Sequence, residues 1–150
     1  GDDLGGQQGP LISPEAYREL YKPYHKKLWG RAKELADVKV QLHCCGGIYE
    51  LLDDLVDAGL DAVNPVQISC RGMDPLRLKA DFGGRITFWG GGCDTQQVLP
   101  LSSPEEVANH VREQTSIFGP GGGFVFQQVH NILANVKPEN VVAMMEAIHS

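Results

Sequence analysis

The chain has 150 residues, 42% hydrophobic and 21% charged, which is enough apolar material for one buried core and too much for a disordered segment. Its formal charge of −6 argues against a nucleic-acid or anionic-membrane surface, and no apolar run approaches the roughly 18 residues of a membrane helix. Four cysteines, with Cys44 and Cys45 adjacent, are too sparse for a disulfide framework and favour a reducing cytoplasm; the acidic, glycine-rich opening shows no secretory pattern.

In chain order, Asp2 to Gly6 reads as a loop leaving a strand that precedes Gly1. Ser13-Pro14-Glu15 predicts a capped helix start, and Tyr17, Leu20, Tyr21, Tyr24 and Leu28 continue at helical spacing, kinked or broken near Pro23. Val38, Val40 and Leu42 alternate as a strand ending near His43. Beyond Gly46-Gly47, Ile48, Leu51, Leu52, Leu55 and Val56 form an amphipathic helical stripe closed by Gly59. The cycle then repeats: a strand over 62–66, a brief helix over 75–80, a strand over 85–89, and a helix opened by the capping box Ser103-Pro104-Glu105-Glu106. A strand over 123–128 and a helix over 138–148 close the chain. Four strand-then-helix units imply a parallel α/β sheet. Two architectures fit, a small doubly wound domain and part of a (β/α)8 barrel, which needs about 250 residues.

The reactive side chains follow the strands. His43 and Cys45 end the first, Cys70 follows the second, Cys93 and Asp94 the third, and His130 the fourth, so all belong to the face where parallel folds carry their sites. In His43-x-Cys45, extended backbone turns imidazole and thiol to one side and Cys44 to the other. That nitrogen and sulfur suit Zn²⁺, with His130 or, in reserve, Cys93 as third ligand and an open fourth position. Gly46 and Gly47 are read as leaving room for the metal. The competing reading makes Cys44 and Cys45 small core residues and His43 a hydrogen-bonded one. Asp2 and Asp3 form either an acid/base pair or solvated loop residues, the glycine runs at 90–92 and 119–123 are turns rather than phosphate cradles, and His25, His110 and His149 are expected to face water.

Several stretches together resemble the uroporphyrinogen decarboxylase superfamily. They are Asp-Asp-Leu-Gly-Gly-Gln-Gln-Gly-Pro-Leu-Ile-Ser-Pro from Asp2, His43-x-Cys45-Gly46, Gly-Leu-Asp-Ala-Val-Asn-Pro-Val from Gly59, Gly-Gly-Cys-Asp ending at Asp94, and Val129-His130-Asn131 followed by Pro-Glu-Asn-Val-Val-Ala-Met from Pro138. The resemblance implies that residues 1–150 are the C-terminal half of one (β/α)8 barrel. It also implies two chemistries. The decarboxylases use no metal and act on a tetrapyrrole, with a late histidine matched by His130 and a serine position matched by Asp3. The cobalamin-dependent methyltransferases move a methyl group from a corrinoid to a thiol through zinc on His-x-Cys and a later cysteine; His43 and Cys45 match the pair, and His130 stands at the third position. The expectation is therefore a zinc- and corrinoid-linked methyltransferase with metal ligands His43, Cys45 and His130, and with His130, Asp3 and Asp94 as catalytic candidates. A small-molecule substrate and a corrinoid protein are the implied partners. The decarboxylase and a non-catalytic tetrapyrrole-binding barrel are the alternatives.

Overall fold

A computed structural model describes residues 1–149. A short antiparallel hairpin, β1 (Gly5–Gly6) and β2 (Gly9–Pro10), comes first, then helices α1 (Pro14–Leu20) and α2 (Lys22–Leu35). Four strands follow: β3 (Gln41–His43), β4 (Ala62–Asn64), β5 (Thr87–Trp89) and β6 (Phe124–Val125). They form one sheet in the order β3-β4-β5-β6, every pair parallel. The connections are a 3-10 turn at Tyr49–Leu51 with α3 (Leu52–Asp57), then α4 (Pro75–Phe82), then α5 (Val98–Leu101) with α6 (Pro104–Phe118). Helix α7 (Pro138–Ile148) ends the described chain. Strands adjacent in sequence order and covered on one face are the pattern of part of a (β/α)8 barrel, not of a doubly wound sheet.

The local chemistry accounts for the helix boundaries. Ser13 caps α1 through the Ala16 amide, and Pro14 opens it with its fixed φ. The break falls at Tyr21, and Pro23 sits in the first turn of α2, where its missing N–H costs nothing. The capping box of α6 is complete: Ser103 accepts from the Glu106 amide while the Glu106 carboxylate accepts from the Ser103 amide. Strand alternation decides what faces the helices. Leu42, Cys44, Val63 and Phe88 are buried with Ile48, Leu51, Leu52, Leu55 and Leu78 in the main core. Gln41, His43, Trp89 and Val125 lie on the opposite, open face. Each fully buried aliphatic side chain contributes roughly 1.5–3 kcal/mol, so this one-sided core dominates the stability of the layer. A second cluster of Leu99, Val107, Val111 and Met144 joins α5, α6 and α7.

Two expectations change. The strands are shorter than the apolar runs suggested, because ladder pairing stops where the loops begin, although a Cys93–Gln128 bridge prolongs the β5–β6 pairing. The opening segment is more than a loop: it folds back as a hairpin whose Gly6 bridges Gly47. Among the described residues, no helix is long and apolar enough to cross a membrane.

Candidate metal centre

The tip of β3 carries the chemistry. The His43 Nε2 lies 3.6 Å from the Cys45 sulfur, so imidazole and thiol share a side, while Cys44 is fully buried behind them. The Cys44 thiol there accepts the Leu4 amide, and burial pushes it up to about 11, so it stays protonated.

Residues 1–4 run beside this tip. The Asp2 amide donates to the His43 carbonyl at 3.0 Å, and the Cys45 amide donates to the Asp3 carboxylate at 2.9 Å. Asp3 thereby joins the pair: one ligand atom each from Asp3, His43 and Cys45 lie within 4.8 Å of one another. Burial, then the Asp3 charge and hydrogen bond, hold the Cys45 thiol above its ordinary value.

The histidine is aimed by a polar layer on the open face of the sheet. The Asn64 amide nitrogen donates to the Trp89 carbonyl at 3.0 Å and to the Gln127 side-chain oxygen at 3.1 Å, which turns its own oxygen toward His43 Nδ1 at 2.9 Å. An oxygen there requires a proton on Nδ1, so Nε2 keeps its lone pair and points it at the Cys45 side. A ligand histidine is oriented in the same way by an outer acceptor.

The glycines have a different task from the one first read. Gly46 has φ +87°, and a Cβ there would lie 2.2 Å from the Gly5 backbone; Gly47 donates to the Gly6 carbonyl. Gly46-Gly47 therefore makes room for the hairpin that delivers Asp3, and the buried Gln67 carboxamide accepts the Gly46 amide from below.

The other sequence candidates are not part of this group. Among the described residues, the group that gathers around His43 and Cys45 contains neither His130 nor Cys93. His130 lies on an exposed segment beyond the Cys93–Gln128 bridge. Positive-φ Gly90 and Gly91 interrupt the alternation of β5, and Cys93 ends fully buried in the second core, its thiol pushed up by burial to about 12. Asp94 is also buried, and its carboxylate accepts the Gln96 and Gln97 amides just before α5. Cys70 is buried beside Gln7. Two histidines expected in water are not there: His25 is buried, and His110 accepts the Asp94 amide with Nε2, its pKa lowered by burial. Asn64 and Gln127 are site-forming side chains that the sequence did not reveal, and Asp3, read there as a catalytic candidate, stands here in reach of a shared metal position.

A family model described as uroporphyrinogen decarboxylase (URO-D) matches residues 3–150. Curated relatives include the uroporphyrinogen decarboxylase of Legionella pneumophila (strain Lens), 27% identical over 142 residues that make up 94% of this chain and 38% of the relative. That of Methylococcus capsulatus is 32% identical over 98 residues, 65% of this chain and 26% of the relative. Among solved structures, a methyltransferase from Methanosarcina mazei superposes with a TM-score of 0.69 over 91% of this chain and 37% of its own, at 20% identity. The chain thus spans little more than a third of the length of these relatives.

Proposed function

This chain belongs to the uroporphyrinogen decarboxylase family, and from that premise we propose that it bears the metal centre of a zinc-dependent methyltransferase acting between a corrinoid and a thiol-type acceptor. The observation that carries the reading is the convergence of Asp3, His43 and Cys45 within 4.8 Å. A thiolate, an imidazole and a carboxylate are a borderline-soft donor set that fits zinc and disfavours magnesium or calcium. Three protein ligands with one position left open is the catalytic pattern. Asp3 takes the third position here in place of His130 or Cys93.

Zinc at this position would supply the Lewis acidity that makes a bound thiol a thiolate at neutral pH. The chain's own residues do the rest. His43 presents a lone pair at Nε2 because Asn64 holds the proton at Nδ1. Cys45 would give up its proton on ligation, and its raised pKa extends to higher pH the range over which a proton competes with the metal. Asp3, anchored by the Cys45 amide, contributes an anionic oxygen. His130, exposed beyond β6, is left for the substrate side.

The family's other chemistry has its own support, since relatives between 26% and 32% identical bear the decarboxylase name. Two assays separate the readings on the full-length protein. Methylation of a small thiol by methylcobalamin should track bound zinc and vanish in Cys45→Ser. Decarboxylation of uroporphyrinogen by metal-free protein, unaffected by Cys45→Ser and lost in His130→Ala, would establish the alternative.

A further inference from the structure

Behind the residues that line the centre lies a second set that plays no part in the mechanism above. Tyr17 of α1 and His25 of α2 are 0% and 7% exposed, although the helical pattern around them contains Leu20, Tyr24 and Leu28, all largely in solvent. The Tyr17 hydroxyl lies 2.9 Å from His25 Nδ1, and His25 Nε2 lies 3.0 Å from the Asp2 carboxylate. Burial raises the Tyr17 phenol well above its ordinary value, so it is a donor across the working pH range. With the phenol donating to Nδ1, the ring N–H sits at Nε2 and donates a hydrogen bond to the Asp2 carboxylate. Trp29 stacks on the imidazole at 4.4 Å and 16°, and the rings of Tyr17 and Tyr21 flank it. Aromatic walls exclude water, which strengthens hydrogen bonds inside them and makes an unpaired partner costly.

We propose that His25 is a positioning residue of the centre: the buried Tyr17–His25–Asp2 chain fixes the Asp2–Asp3 segment so that the Asp3 carboxylate stays over Cys45 beside His43. The geometry is that of neighbours in extended chain. Asp2 turns back toward α2 while Asp3 turns forward to the Cys45 amide. The Asp2 amide is tied to the His43 carbonyl, and the Leu4 amide to the Cys44 sulfur. Three of these four ties hold the segment to residues 43–45, and His25 is the one that holds it to the helical layer. Without it, the Asp2 side chain has solvent on the helix side, and Asp3 is tethered by the Cys45 amide and its neighbours alone. His25 touches no ligand atom. It acts through Asp2, as outer-shell groups act on metal ligands, and this step rests on the metal reading above only for its zinc readout.

The test compares wild type, His25→Phe, Tyr17→Phe and Lys22→Met in the full-length protein. The Lys22 ammonium ties the same helix to Asp54 and Asp57, away from the Tyr17–His25–Asp2 hydrogen bonds, so it controls for general loosening of α2. Amide hydrogen exchange of Leu4 and Cys45 is read on metal-free protein, and zinc affinity by chelator competition. His25→Phe should speed exchange at both amides by about tenfold or more and weaken zinc by about 10–100-fold, with Lys22→Met changing neither. If His25→Phe does not fold, Tyr17→Phe, which removes one hydroxyl, should show the same pair of effects in smaller measure. Unchanged exchange at Cys45, or equal acceleration in Lys22→Met, overturns the proposal. Faster exchange with wild-type zinc affinity also overturns it, because the segment would then be held without consequence for the ligands. Absence of zinc binding in the wild type would sink the metal reading alone, and the exchange comparison would still decide the role of His25.

Discussion

Replacing Asn64 with alanine deletes three hydrogen bonds at once, to His43 Nδ1, the Trp89 carbonyl and the Gln127 side chain. At about 0.5–1.5 kcal/mol net each, the loss of stability should be about 2–4 kcal/mol. The metal effect has a separate origin, because His43 loses the acceptor that keeps its proton on Nδ1, and a misprotonated ring presents N–H instead of a lone pair. Removal of such an outer partner costs about 10–100-fold in metal affinity. Asn64→Asp separates the two effects. Its carboxylate still accepts from His43, and more strongly, but now opposes the Trp89 and Gln127 oxygens, so stability should fall while zinc affinity holds or rises. The assay is urea unfolding of the metal-free proteins beside zinc competition well below the transition. Undiminished zinc affinity in Asn64→Ala would refute the claim that this contact sets the tautomer. Equal loss in both variants would reduce the effect to stability.

Cys45→Ser should abolish stoichiometric zinc, because a hydroxyl is a poor zinc ligand at neutral pH; Cys44→Ala should keep it and lose about 1–3 kcal/mol for the stranded Leu4 amide, both read by metal analysis and melting. Gly46→Ala forces a Cβ into the Gly5 backbone at positive φ, so it should cost about 2–4 kcal/mol in urea unfolding and weaken zinc by displacing the hairpin ahead of which Asp3 lies. His110 is held neutral in the folded chain, with a pKa lowered from 6.5 by burial. The unfolded chain takes up its proton first, so this contribution is complete above about 6.5 and is lost as pH falls through the lower folded value. Unfolding curves from pH 7 down to pH 5 should show that decline, and His110→Gln should flatten it.

The parallel order and the position of every long helix were legible because apolar period, caps and proline placement agree, as at Ser13-Pro14 and Ser103 to Glu106. His43-x-Cys45 was legible because strand alternation alone puts both side chains on one side. Asp3 was legible as a catalytic candidate but not as a neighbour of Cys45, since its place depends on a two-residue hairpin packed by glycines against glycines, and no apolar period marks such a contact. Nor was Cys93, whose direction is set by the positive φ of Gly90 and Gly91 rather than by strand parity. His25 shares its helix face with Tyr21 and Trp29, at i−4 and i+4, but a titratable side chain was expected in water; it is buried because the break at Tyr21 folds α2 back so that Tyr17 and Trp29 enclose it.

X-ray absorption at the zinc edge of the zinc-loaded, full-length protein bears most directly on the centre itself. A site made by Asp3, His43 and Cys45 predicts one sulfur scatterer at about 2.3 Å and nitrogen or oxygen neighbours at about 2.0–2.2 Å. The sulfur should vanish in Cys45→Ser, and an oxygen should be lost in Asp3→Ala. Two sulfur scatterers, or a zinc environment unchanged by Asp3→Ala, would contradict the assignment.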